Sequence, residues 1–229
     1  MDALTNATPA VEEIPSSGPA PTAIPDAKST QTGVSVRYVF HPDRRWYVLR
    51  ASYAREQQAE DLLIRQGVYA YVAKRWEYQE VGGRPKRMLR SLISSLVFAY
   101  LLPDEAELFV RGAVAGRPSP EPRLAGILSY YYDHFQVAAD FRNPPLVVSN
   151  AEMRNFILAT SSHDENLLML QEGDFTFRSE QEVEVTAGRF QGVRGRVIRA
   201  ARQQRVLVRL TGVGLCATAY VPTPFLRAV

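Results

Sequence analysis

Apolar and polar positions follow two different rhythms along this chain, one before and one after a polar stretch that begins at Ser161. In the first, Arg45-Trp46-Tyr47-Val48-Leu49-Arg50 is a short run rich in aromatic and β-branched side chains, which predicts a strand. Ser52 stands where a helix cap would. Ala59, Leu62, Leu63 and Gln66 then recur at helical spacing, with Glu56 and Glu60 near the start and Gly67 at the expected end. A second strand is predicted from Val68 to Tyr78. Gly82-Gly83 is a hairpin signal, and Arg84 to Leu89 returns along it to form an arm that is basic at Arg84, Lys86, Arg87 and Arg90. Leu96 to Leu101 is almost continuously apolar, the pattern of a central strand buried on both faces.

Pro103-Asp104-Glu105 opens a second helix, with acids in the first turn where the helix dipole favours them, and Gly112 ends it. Gly116 to Pro122 reads as a loop and Ile127 to Phe135 as a strand. Tyr130, Tyr131 and Tyr132 are consecutive within that strand, so they cannot all face one side. After Asn143-Pro144-Pro145 comes Leu146-Val147-Val148. Ser149-x-x-Glu152 is a capping box for a helix striped with Met153, Phe156, Ile157 and Thr160. This half reads as a βαββαβ-like antiparallel sheet with helices.

Beyond Asn166 the period shortens. Val183 and Val185 alternate with polar residues, Val193, Val197 and Ile198 lie past a Gly-rich turn, and Val206, Val208 and Leu210 precede Leu215 to Val221. Short strands and tight turns over about 60 residues suit a five-stranded SH3-like barrel. The expected class is α+β, with a Pro-rich disordered tail (1–43), a first domain (44–160), a linker (161–172) and a small barrel (173–229).

Composition sharpens this division. The tail is rich in Pro, Ser, Thr and Ala and has too few large apolar side chains to offset the entropy of ordering it. It has neither the basic start nor the apolar run of a secretory signal. No segment approaches the roughly 18 apolar residues of a membrane span, so the expectation is a soluble, cytoplasmic monomer. The net charge is only +3, yet Val183 to Val229 carries eight arginines against one acid, Glu184. Such a module favours an anionic or acidic partner. Cys216, the single cysteine, sits among apolar neighbours and reads as a buried structural residue.

The chain contains no phosphate-binding loop, dinucleotide fingerprint or nucleophile elbow, and His41, His134 and His163 have no His or Cys at ligand spacing. Neither an enzyme nor a cofactor is expected. The specific signal is Gly188-x-Phe190-x-Gly192-x-x-Gly195-x-Val197, entered from the strand Val183-Glu184-Val185. Glycines at such a turn allow positive φ and close backbone approach, and Phe190 can plug the fold between them.

This turn resembles the KOW signature. The strand at Trp46, the helix bearing Glu56, the arm and the central apolar strand resemble the N-terminal (NGN) domain of NusG-like transcription factors, in which a KOW module follows. The resemblance spans Arg44 to Val229. Within the family it is nearest to the UpxY-type antiterminators of capsular polysaccharide operons, through Ala217-Thr218-Ala219-Tyr220-Val221-Pro222. It implies a factor that binds RNA polymerase at the clamp helices of the largest subunit and bridges toward the opposite lobe, keeping the enzyme elongating. The implied hollow comprises Trp46, Tyr47, Leu92, Ile93, Leu96 and Phe98. Ser94-Ser95 replaces the Pro-Gly of the housekeeping pattern, which favours a specialised paralogue over NusG itself. By the same resemblance, the arm could meet upstream DNA or nascent RNA through phosphate contacts. By that resemblance the KOW module could recruit a ribosomal protein or a termination factor, or contact nucleic acid. A separate reading is an RNA-binding or ribosome-associated adaptor that uses the Arg-rich barrel.

Overall fold

The computed structural model describes residues 40–134, 136, 143–171 and 173–229. Nearly all of the expected disordered tail therefore lies outside the described residues, as does Phe135. In chain order the elements are β1 (Arg45–Ala51), a 3-10 turn (Ser52–Ala54), α1 (Glu56–Arg65), β2 (Tyr69–Tyr71), β3 (Lys74–Val81), β4 (Arg84–Ser91), β5 (Leu96–Leu101), α2 (Pro103–Arg111), β6 (Ala113–Val114) and β7 (Arg117–Pro118). They continue with α3 (Pro122–Ala125), β8 (Leu128–Tyr130), β9 (Val147–Val148), α4 (Asn150–Thr160), β10 (Leu168–Leu170), β11 (Thr176–Val185), β12 (Arg194–Ala200), β13 (Gln203–Leu210), β14 (Gly214–Ala217) and β15 (Leu226–Ala228). The protein is a mixed α+β fold whose sheets are antiparallel.

The first sheet runs β2-β5-β1-β8, with β9 also pairing with β1. Its two-residue period sends Tyr47, Leu49, Val97, Ala99 and Leu101 to one face, where they pack against Leu62 and Leu63 of α1, Phe109 of α2 and Leu124 of α3. Trp46, Val48, Leu96, Phe98 and Tyr100 point the other way onto Met153, Phe156 and Ile157 of α4. The continuous apolar run of β5 thus fills both faces, as its pattern requires. Among the described residues the strand expected from Ile127 to Phe135 is confined to Leu128–Tyr130; Tyr130 joins the first face and Tyr131, just past the strand, the second.

The expected strand from Val68 to Tyr78 is broken. β2 belongs to the first sheet, whereas β3 pairs only with β4 in a separate two-stranded arm. Between them Val72 and Ala73 are buried, and the Glu60 carboxylate accepts from the Val72 N–H at 2.8 Å and from the Lys74 ammonium. That clamp turns the chain out of the sheet. Ser52 is not the cap of α1 either: it begins the 3-10 turn, and Arg55 precedes the helix without a side-chain cap bond. The loop expected from Gly116 contains β7, which pairs with β6. By contrast, Gly112 ends α2 with φ 82, and the Ser149–Glu152 capping box opens α4.

The second sheet has six strands in the order β10-β14-β13-β12-β11-β15, and its end strands do not pair with one another. The expected five-stranded barrel is therefore an unclosed six-stranded sheet. One added strand, β10, comes from the segment expected to be linker: Leu168, Met169 and Leu170 pair with Ala217, Cys216 and Leu215. The connection after α4 is correspondingly short. Val183, Val185, Phe190, Val206, Val208 and Cys216 then share one continuous apolar cluster with Trp46, Phe98 and Phe156. The described residues fall in one compact unit, and α4 serves as core to both sheets.

Candidate functional site

The six residues of the expected apolar hollow separate by depth and by face. Trp46, Leu96 and Phe98 are buried under α4, where Trp46 meets Tyr69 edge-on at 5.7 Å and Phe98 meets Phe156 at 5.5 Å. Tyr47 lies on the opposite face beside Tyr130, and burial pushes its phenol above the usual value. Only Leu92 and Ile93 reach the surface in part, at the bend between β4 and β5. The Ser95 carbonyl accepts from Ala51 N–H at 2.8 Å, which fixes that bend to β1. Ser95 itself has φ 63, a left-handed conformation uncommon for a residue other than glycine. Four of the six thus belong to the core, three on one sheet face and Tyr47 on the other, and two form a partly exposed rim.

The arm separates its basic residues differently. In its register Val81 opposes Arg84, Gln79 opposes Lys86 and Arg75 opposes Arg90, so Arg84, Lys86 and Arg90 occupy one face. Arg87 is on the other, with its guanidinium 4.8 Å from the centre of the Trp76 ring and Tyr78 opposite it. Tyr78 is 68% exposed. Three cations therefore form a row on one face and a cation–aromatic cluster covers the other.

At the Gly-rich turn, each motif residue has a physical role. Gly188 and Gly192 have φ of 80 and 85, and Phe190 is buried. A Cβ on Gly195 would lie 2.0 Å from the Leu207 carbonyl oxygen, so only glycine fits between β12 and β13 there. Neither a family model nor a curated protein matches this sequence.

Polar contacts along α4 join the two sheets, and the sequence did not reveal them. Asn155 Oδ1 accepts from Arg194 N–H at 2.7 Å, and its amide donates back to the Arg194 carbonyl. Thr211 donates its hydroxyl to Glu152 at 2.6 Å. Burial would raise the Glu152 carboxyl, but the hydrogen bonds from Thr211 and Ser149 outweigh it and hold the group below its usual range. Arg189, inside the Gly-rich turn, pairs with the buried Asp164 just after α4. Arg205 is also buried, donating to the carbonyls of Ala200, Asn166 and Thr218, and desolvation lowers its pKa. These pairings are long-range, so local spacing carries no signal for them.

One other feature escaped sequence reasoning. Tyr53 and Ala54 both have positive φ, 56 and 53, and Tyr53 is 89% exposed beneath the Arg55 guanidinium. Left-handed tyrosine is uncommon, and only the folded context reveals it. Cys216 is buried as expected, and desolvation raises its thiol to about 12. Among the described residues, no group of three or more His, Cys, Asp or Glu side chains could hold a metal ion. No helix among them is long and apolar enough to cross a membrane.

Proposed function

We propose that this protein is a NusG-like elongation or antitermination factor of the specialised, operon-specific kind, acting on RNA polymerase without chemistry of its own. The observation that carries the reading is the Gly-rich turn. Gly188, Phe190, Gly192 and Gly195 supply turn, plug and close approach in the order of the KOW signature, within an antiparallel sheet. Further support comes from what precedes it: a strand–helix–strand unit, a protruding basic hairpin and a central strand buried on both faces. A factor that prefers the closed state of polymerase shifts the enzyme toward it by differential binding alone.

In this reading Leu92 and Ile93 make the apolar contact, while Trp46, Leu96 and Phe98 hold their bend from beneath. Tyr47, on the far face, supports the sheet against the helices. The full chain is expected to co-purify with RNA polymerase and to increase read-through of long transcripts. Ile93→Glu is expected to abolish both while the chain stays folded by circular dichroism. Failure of the wild-type chain to capture polymerase would overturn the proposal.

A further inference from the structure

A groove of about 700 Å³ opens between α4 and the β11–β13 face of the second sheet. Its volume falls within the range of ordinary ligand sites, roughly 300–1,000 Å³. Arg154 reaches it from the exposed side of α4, and Arg194, Arg196 and Arg209 reach it from the sheet, against the carboxylates of Glu152 and Glu182. Arg196 opposes Leu207, so Arg194 and Arg209, two residues further along each strand, share its face. Like charges side by side on a sheet repel. Arg194 is relieved by Glu184 at 3.2 Å, and Glu152 is already engaged by Thr211 and Ser149. Neither Arg154 nor Arg209 has a carboxylate at ion-pair distance among the described residues. On the groove wall Phe177 is 43% exposed, with the Arg196 guanidinium 4.9 Å from its ring centre.

We infer that this groove binds a short stretch of single-stranded nucleic acid, with phosphates on Arg154 and Arg209 and a base on the Phe177–Arg196 surface. Cations that follow a backbone beside an aromatic ring are what a sequence-tolerant single-strand site requires. The aromatic surface favours a nucleic acid over an acidic polypeptide, which has no flat ring to stack there. One wall comes from α4 and the other from the second sheet, so a bound strand would hold the two together and raise thermal stability.

The test is fluorescence anisotropy of the full chain with a labelled ten-nucleotide single strand, in ribo and deoxy form, across a salt series. Binding is expected to weaken with salt at a log–log slope of about −1.4, each of the two phosphate contacts contributing about −0.7. Arg154→Ala with Arg209→Ala is expected to lower affinity at least tenfold and to flatten the slope by about 1.4. Phe177→Leu is expected to weaken binding about fivefold with the slope unchanged. All three residues are exposed, so an unchanged melting temperature would verify that the variants fold. Whichever sugar binds more tightly names the natural source, and either ranking supports the site.

Three results would overturn the inference: no binding to either strand, displacement by hexaglutamate at equal or lower concentration, or full affinity in the arginine pair variant. In the last case, loss on Arg84→Ala with Lys86→Ala would move the anion site to the arm. The assay contains no polymerase, so its failure leaves the proposed elongation role untouched.

Discussion

The arm and helix α4 both adjoin the first sheet, yet they use their side chains in opposite ways. β3 and β4 pair only with each other, and their outer halves are exposed on both faces. Removing a side chain there leaves no cavity. α4 has no such freedom on its inner side: Met153, Phe156 and Ile157 lie between the first sheet and the cluster that contains Val185, Phe190 and Val208. Its outer side carries Glu152, Arg154 and Asn155, which face the groove and the second sheet. Chemistry and stability are separable on the arm and share the same few turns on α4. The lesson is that a small helix can make two sheets into one cooperative unit, whereas a hairpin can carry charge at little cost to the fold.

The largest break in that comparison should come from Phe156→Ala. Phe156 is fully buried against Phe98 and Tyr71, and truncating such a ring costs about 3–5 kcal/mol. Because the cluster spans both sheets, urea unfolding followed by Trp fluorescence and by far-UV circular dichroism should shift together as one transition. Two separated transitions would show that α4 does not couple the sheets. Next in size is Gly195→Ala. Its Cβ would meet the Leu207 carbonyl oxygen at 2.0 Å, and backbone cannot give way as a flexible side chain can. A loss of about 3 kcal/mol is expected, with hydrogen exchange accelerating most along β12 and β13.

Much of this contrast was legible in the sequence, and the residues show why. The continuous apolar run at Leu96 to Leu101, the capping box at Ser149 and Glu152, the αL glycine at Gly112 and the Gly188–Gly195 turn all depend on local geometry. Local geometry leaves a local pattern. The break at Val72-Ala73 depends on Glu60, twelve residues earlier, which captures the Val72 N–H. The six-stranded sheet depends on Leu168 to Leu170 finding β14 across nearly fifty residues. Placing Trp46 and Phe98 in a core rather than an open hollow required knowing that α4 packs there. Periodicity marks an apolar face but cannot say what covers it. The groove arginines were likewise visible as a basic excess, but their convergence with Arg154 is a property of the packed fold.

A smaller effect should sharpen the contrast at the outer side of α4. The Glu152 carboxyl is held below its usual range in the folded chain, so its contribution is complete above the unfolded value of about 4.3 and is lost as pH falls through the lower folded value. The Glu152→Gln variant should therefore be less stable than the parent at neutral pH, by about 1 kcal/mol. It should also lose part of the acid limb of the stability profile. Parallel profiles for parent and variant down to pH 3 would show that the Thr211 contact contributes nothing to joining the sheets.

The smallest expected effect lies on the arm, and its smallness is the point of the comparison. Tyr78 is exposed, opposes Arg87 across the hairpin and touches no core cluster. Tyr78→Thr keeps the β preference of the position, and surface substitutions of this kind stay within about 0.5 kcal/mol. Thermal melting of the variant should superimpose on that of the parent, while any nucleic-acid or polymerase contact made by the Trp76–Tyr78–Arg87 face should weaken. A melting temperature lowered by several degrees would mean that this face is packed in solution. The arm would then belong with α4 as a structural element, and the separation of charge from stability would fail where it was expected to be cleanest.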